Sequence, residues 1–257
     1  DQPGAEQGSS DPDWIDGKFG KALSFNGQNQ ALSVGECDFD DSEGSMECWV
    51  RLSAETQARE GTILRLDGGG PWTYHILRRM ENTSRVGYFT YDGEHVRGVV
   101  SEELAPGWHH VLCTHSVASG KAAMYVDGAK VGESDFVKTT CKGAALGIGG
   151  IPGQQVGNPL HGDIDEVRIS NAVRTPEAAA GGPYEKDDST SLLLHLDEGR
   201  GVVRVGGAYP GGIQPPGFFA ANGTLYAAYD LLERYCGVRW YAPGDLGTVY
   251  NVTGDLK

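Results

Sequence analysis

Ala122-Ala123-Met124-Tyr125-Val126-Asp127-Gly128 holds the rule that most of the chain obeys. Ala122, Met124 and Val126 fall on one side of an extended chain, Ala123 and Tyr125 on the other, and the run stops at Asp-Gly. Period two is what a half-buried antiparallel strand requires, because successive side chains point to opposite faces. Asp-Gly between extended runs suits a type I′ hairpin, whose two central residues both need positive φ. Working outward, short segments of the same texture recur at Ala22–Phe25, Gln30–Val34, Ser45–Leu52, Thr62–Leu66, Tyr74–Arg78, Arg85–Tyr91, Val96–Val100, His109–His115, Ala144–Ile148 and Ile164–Ile169. Asp-Gly returns at Asp92-Gly93, Asn26-Gly27 reads as a further tight hairpin, and Asp67-Gly68-Gly69-Gly70-Pro71 reads as a longer loop. With no helical period between them, these strands predict an all-β fold of two packed antiparallel sheets.

Composition narrows the function classes. The chain has 257 residues with 39 Gly, 12 Pro and 39% hydrophobic residues, which is turn-rich but not low-complexity. That length accommodates one large sandwich, or one sandwich and a small second unit. A net charge of −14 argues against nucleic acid or an anionic membrane surface as partner, since each demands a basic face. No apolar run approaches the ~18 residues of a membrane span, so membrane insertion is not expected. The chain opens at Asp1 with neither Met nor an apolar leader, which reads as a processed chain or a piece of a longer one and allows secretion without showing it; an extracellular or periplasmic location is a separate expectation. Cys37, Cys48, Cys113, Cys141 and Cys236 are odd in number and show no Cys-x-x-Cys spacing, so neither a disulfide framework nor a zinc site is expected.

Residues 1–13, polar and rich in Gly, Ser and Asp, read as a flexible tail. Residues 14–175 read as the sandwich, 176–205 as a connector with a potential edge strand at Leu192–Leu196, and 206–257 as a small α/β segment. In the last of these, Leu225, Ala228, Tyr229, Leu232 and Cys236 form an amphipathic helical stripe between Thr224 as N-cap and Gly237 at its end.

Five strings carry a resemblance: Gly17-Lys18-Phe19-Gly20-Lys21-Ala22-Leu23-Ser24-Phe25-Asn26-Gly27, Met46-Glu47-Cys48-Trp49-Val50, Gly107-Trp108-His109-His110-Val111, Met124-Tyr125-Val126-Asp127-Gly128 and Gly162-Asp163-Ile164-Asp165-Glu166-Val167-Arg168-Ile169. In this order they resemble laminin-G-like domains of the concanavalin A-like superfamily, which implies a two-sheet jelly roll. The family often opens with a Leu-Trp-His-Phe-Asp-Glu-Gly segment. None precedes Trp14, but the similar Leu192-Leu193-Leu194-His195-Leu196-Asp197-Glu198-Gly199 follows the domain. It either supplies the missing edge strand from the other end or opens a second, incomplete unit. Separately, Gly223–Glu233 with Gly237–Gly247 resembles the N-terminal, non-catalytic domain of α-glucuronidase-like glycoside hydrolases, which implies a catalytic domain downstream in a longer polypeptide.

Sandwich lectins stack aromatic rings on the C–H faces of sugars and hydrogen-bond their hydroxyls to polar side chains. Trp72, Tyr74, His75, Arg78, Tyr88, Tyr91 and His95 are the candidates for such a glycan site, on a shallow concave face. Trp49 and Trp108 read instead as packing residues. Adjacent His109 and His110 point to opposite faces of a strand and cannot chelate one ion together. Calcium suits the oxygen donors better. The resemblance implies a structural Ca2+ on an Asp of the Asp163-Ile164-Asp165 motif; the Asn26 or Gly27 carbonyls and the Asp197-Glu198 turn are the oxygen donors expected to complete it, while paired solvated carboxylates are the alternative. Neither a nucleophile motif nor a nucleotide loop is present, so no catalytic residue is assigned. Non-catalytic glycan recognition, accessory to a secreted polysaccharide-processing protein, is therefore the preferred reading. An adhesion or spacer domain is the first alternative, and a glycoside hydrolase with two close carboxylates the second.

Overall fold

The computed structural model describes residues 12–55, 57–68, 72–151, 156–176, 182–197, 239–240 and 248–249. Its strands are β1 (Asp13–Asp16), β2 (Lys21–Asn26), β3 (Leu32–Glu36), β4 (Glu43–Leu52), β5 (Gly61–Gly68), β6 (Thr73–Arg79), β7 (Val86–Tyr91), β8 (Val96–Val100), β9 (His109–Ser116), β10 (Lys121–Val126), β11 (Ala129–Asp135), β12 (Ala145–Ile148), β13 (His161–Ser170) and β14 (Thr190–Leu194). A short antiparallel pair, β15 (Arg239–Trp240) and β16 (Thr248–Val249), is also described. The expected tail up to residue 11, the helix from Leu225 to Cys236, and the rest of 206–257 lie outside the described residues.

Two antiparallel sheets form the sandwich. One has eight strands in the order β1-β2-β13-β4-β9-β10-β11 with β14 on β13, and the other six in the order β3-β12-β5-β6-β7-β8. β13 is the pivot of the first sheet. Along one side β4 accompanies nearly its whole length. Along the other, β2 pairs with His161–Ile164 and β14 with Val167–Ser170, so the late segment around Leu192 extends the edge that β2 leaves.

Alternation decides which side chains enter. Phe25, Met46, Cys48, Val50, Leu64, Leu66, Leu77, Val111, Cys113, Met124, Leu146, Ile148, Ile164, Ile169 and Leu194 belong to one buried cluster between the sheets. Each such side chain withdrawn from water contributes roughly 1.5–3 kcal/mol. A second, smaller cluster of Trp49, Tyr184 and Leu193, joined by Phe19 and Trp108, covers the outer face of the eight-stranded sheet. The described cysteines, Cys37, Cys48, Cys113 and Cys141, are buried free thiols, and burial pushes Cys37 up to about 12.

The turns divide by mechanism. Asp127 and Gly128 both have positive φ, 49° and 82°, as a type I′ hairpin between β10 and β11 requires. At Asp92-Gly93 the expected two-residue turn is corrected to a four-residue loop, since Tyr91 pairs with Val96. There the Asp92 carboxylate accepts the backbone N–H groups of Glu94 (2.9 Å) and His95 (2.7 Å), and only Gly93 is left-handed. Asn26-Gly27 is corrected from hairpin to crossover, because β2 and β3 belong to different sheets. Gly27, at φ 71°, donates its N–H to the Leu160 carbonyl (2.8 Å), and a Cβ there would stand 2.8 Å from that of His161.

Candidate functional site

Register places one continuous set of side chains on the outer face of the six-stranded sheet. Leu64 and Leu66 of β5 enter the core, so Arg65 and Asp67 face out; Asp67 pairs with Tyr74, and Tyr74 with Tyr91. One rung along, Arg65 pairs with Ile76 and Ile76 with Phe89. On the other side of β5, Arg65 pairs with Gly147 of β12 and Gly147 with Ser33 of β3. Along β8, Val96 (56% exposed) pairs with Tyr91, and Val100 (39% exposed) with Gly87.

Aromatic rings and arginines interleave on this face. The rings of Tyr74 and Tyr91 lie 5.3 Å apart, and the Arg65 guanidinium lies 4.8 Å from the centre of Tyr74. Asp67 grips Arg65 at both ends of its fork, with Nε donating at 2.8 Å and Nη2 at 2.7 Å. Phe89 lies flat where Gly87 and Gly98 leave room, since a Cβ on either glycine would come within 2.6 Å or 2.2 Å of that ring. Arg78 covers the other side of Phe89 at 4.2 Å and pairs with Glu60. Beside the rings is a shallow groove of about 160 Å³ lined by Ser33, Arg65, Asp67, Ala145, Gly147 and Ile151. Trp72, at the mouth of β6, is 74% exposed.

The expected glycan residues therefore separate. Tyr74, Arg78 and Tyr91 share the outer face, with Trp72 exposed two residues before Tyr74, and His95 is exposed in the β7–β8 loop. His75 and Tyr88 are corrected: both are core residues, 0% and 1% exposed, and cannot touch a surface ligand. His75 shares hydrogen bonds with the Tyr88 hydroxyl (2.8 Å) and Thr139 Oγ1 (2.9 Å). Burial, aided by His115, holds the His75 imidazole well below its ordinary pKa, and burial, aided by Cys113 and Cys141, drives the Tyr88 phenol well above its own. Arg65, Asp67 and Phe89 were missed. Their signal was present, in that Arg65 and Asp67 alternate with Leu64 and Leu66, and Phe89 alternates with Tyr88 and Thr90.

The four expected calcium ligands do not converge. Asn26 stands level with His161, two residues along β13 from Asp163 and four from Asp165, a spread of about 13 Å at strand rise. The Asn26 carboxamide oxygen accepts the N–H groups of Gln28 and Asn29, and Asp163 pairs with Arg51 at 2.7 Å. Asp165 Oδ2 accepts the N–H groups of Lys18 (2.8 Å) and Phe19 (2.9 Å), and Asp197 Oδ1 that of Lys21 (2.6 Å). Asp165 and Asp197 thus brace the β1–β2 turn. As a set, the four do not fit one cation, and among the described residues no group of three or more His, Cys, Asp or Glu is placed to hold a metal ion.

The acids of β13 are engaged within the protein. Asp165 is fully buried, its second oxygen has no partner among the described residues, and burial raises its pKa to about 7. Glu166, also fully buried, meets His195 at 2.9 Å and accepts the Tyr184 N–H. Glu47 is clasped by Arg168 (2.7 Å) and His110 (3.0 Å) under the Tyr184 ring. His109 turns the other way and pairs with Asp127 at 2.6 Å. Asp165, Glu166 and Glu47 are thus buried on the protein's own groups and do not reach the surface.

Two antiparallel sheets packed face to face in this strand order define a jelly-roll β-sandwich. The chain belongs to the concanavalin A-like lectin/glucanase superfamily, matching the Laminin_G_3 family over residues 26–180. Among solved structures it is similar to a Bacteroides ovatus protein to which carbohydrate binding is attributed, at 22% identity and TM-score 0.56, covering 73% of this chain and 56% of that one. It is also similar to domains LG4-5 of the mouse laminin α1 chain, at 20% identity and TM-score 0.50, covering 69% and 48%. A third likeness is to domain 4 of an extracellular arabinanase from Geobacillus stearothermophilus, solved with arabinotriose, at 18% identity and TM-score 0.50, covering 65% and 78%. The chain spans about half the length of the first two, and at these identities the likenesses establish the fold. The comparison with curated proteins finds no match. Among the described residues no helix is long and apolar enough to cross a membrane.

Proposed function

We propose that the outer face of the six-stranded sheet binds a glycan without cleaving it, and that the domain thereby anchors a secreted polysaccharide-processing protein to its substrate. The observation that carries this reading is the exposed Trp72 ahead of the Tyr74–Tyr91 ring pair, beside a groove of mixed polar and apolar lining. Rings present flat apolar surface to sugar C–H groups, and Ser33, Arg65 and Asp67 line the groove where hydroxyls need donors and acceptors. The arabinanase domain solved with arabinotriose and the carbohydrate role attributed to the Bacteroides protein support it. Adhesion to protein is the rival, as a laminin chain also has this fold.

The test is affinity electrophoresis and a polysaccharide pull-down with the whole chain and the Trp72→Ala/Tyr74→Ala double variant. Two stacked rings at about 0.5–1.5 kcal/mol each predict a loss of roughly 5- to 150-fold. Unchanged far-UV circular dichroism would show that the variant folds. Retention on a polysaccharide that survives loss of both rings overturns the assignment of this face, and retention on none favours the adhesion reading.

A further inference from the structure

Resting on that reading, we infer that the face selects uncharged polysaccharides and rejects those bearing carboxylates, and that Asp67 and Glu60 impose the choice. An arginine beside an aromatic platform is the usual means of holding a sugar carboxylate, because its planar fork matches two oxygens at once. Here the two arginines that flank the rings already pair with carboxylates of the chain, Arg65 through two nitrogens and Arg78 through one, its buried Nε having no hydrogen-bond partner among the described residues. Arg65 gives Nε and Nη2 to Asp67, two residues along the same strand and therefore on the same face. Arg78 gives Nη1 to Glu60, while its flat side rests on Phe89. Each guanidinium has become part of a neutral unit that braces a ring.

Three terms then oppose an acidic sugar. It would have to displace an intramolecular carboxylate from an arginine that is only partly exposed, the Arg65 side chain being 15% and that of Arg78 21% accessible. The displaced Asp67 or Glu60 would remain beside the incoming anion, where like charges repel. The chain as a whole, at −14, repels a polyanion before contact. A neutral glycan meets none of these. It keeps the ring contacts and can hydrogen-bond to the carboxylate oxygens that the arginines leave open.

The experiment is affinity electrophoresis of the whole chain in gels containing arabinan, xylan, mannan or β-glucan as neutral probes, and polygalacturonate or alginate as acidic ones, at low and at 0.5 M salt. Wild type is expected to be retarded by at least one neutral gel, with little effect of salt, and at least tenfold less by either acidic gel. Asp67→Asn and Glu60→Gln, singly and together, are expected to gain at least a tenfold, salt-sensitive retardation in the acidic gels. Glu60→Gln leaves the groove lining untouched, so it reports even if Asp67→Asn perturbs the fold, and circular dichroism checks both. Wild type retarded by acidic gels as strongly as by neutral ones overturns the inference and leaves the glycan reading standing. Folded variants that gain nothing remove Asp67 and Glu60 as the determinants. Wild type retarded by no gel overturns the glycan reading itself, and the inference with it.

Discussion

Acid should unfold this protein through His115, and the size of the effect can be worked from its surroundings. His115 is 1% exposed, stacks on Phe39 at 4.9 Å, and touches Phe136 and His75 at 5.0 and 4.7 Å between ring centres. Its Nε2–H donates to the Asp40 carbonyl at 2.8 Å, so the proton taken up in acid must go to Nδ1, within an apolar and aromatic nest. Burial lowers the pKa from 6.5 to about 4, against the smaller upward pull of the Asp40 carbonyl and the carboxylates of Asp41 and Asp40. A folded-state pKa below the unfolded one means that the unfolded chain binds the extra proton. The stability from this group is therefore whole above pH 6.5 and is lost as pH falls toward 4, a difference of about 3 kcal/mol out of the 5–15 typical of a domain. His115→Gln retains an N–H donor for the Asp40 carbonyl but cannot titrate. Urea unfolding of both proteins from pH 7.5 to pH 4 should show the wild-type advantage shrinking by about that amount, while groups remote from His115 cancel in the difference. An advantage that stays constant across that range would refute the reasoning, because His115 would then carry no buried-charge penalty.

Asp165 acts with the opposite sign: its pKa is raised to about 7 from 3.8, so its contribution is whole below pH 3.8 and is lost as pH rises through 7. Asp165→Asn keeps an acceptor for the Lys18 and Phe19 N–H groups and should gain stability over wild type between pH 4 and pH 8, up to about 4 kcal/mol, measured by urea midpoints at the two pH values. Because Asn26, Asp163, Asp165 and Asp197 each have separate protein partners, EDTA should leave the thermal midpoint unchanged, and a drop of several degrees in calorimetry would reveal a cation held by other residues.

The fold was legible wherever burial wrote itself as alternation. Met46-Glu47-Cys48-Trp49-Val50 shows it plainly, with Met46, Cys48 and Val50 in the main core and Trp49 on the other side of the sheet. β11 was not legible, because Ala129–Asp135 is a sheet edge with mostly exposed or half-buried residues and carries almost no apolar signal. The Asn26-Gly27 misreading has a similar cause, since a left-handed glycine marks a sharp turn but does not say whether the next strand returns to the same sheet. For the candidate site, the sequence reading drew its residues from β6, β7 and the loops beside them without separating the two faces of those strands. His75 and Tyr88 carry the chemistry of ligand contacts, yet they share a face with Leu77 and Val86, and parity sends them inward to bond one another. Arg65 and Asp67 went unnoticed because each alone is an ordinary surface charge. Only the strand that makes them neighbours on one face turns them into a clamp.

The two outer faces differ in what already covers them. On the eight-stranded sheet, the segment bearing Tyr184 and β14 returns over Trp49, Trp108 and Phe19, and the acids beneath are locked to Arg168, His110 and backbone N–H groups. That surface is already occupied by the chain's own residues. On the six-stranded sheet the side chains are of the same kinds, rings and paired charges, but glycines at 87, 98 and 147 keep the surface low, and Phe89 lies flat across two of them. Among the described residues the core clusters do not extend over its rings, and Trp72, Val96 and Val100 remain exposed. An aromatic surface costs free energy to leave in water. One that is braced by cation–π contacts and internally neutral arginines is rigid before any ligand arrives, and so loses little further side-chain freedom on binding. That preorganisation, more than any single ring, is what the proposed binding of a long, flat and uncharged glycan rests on.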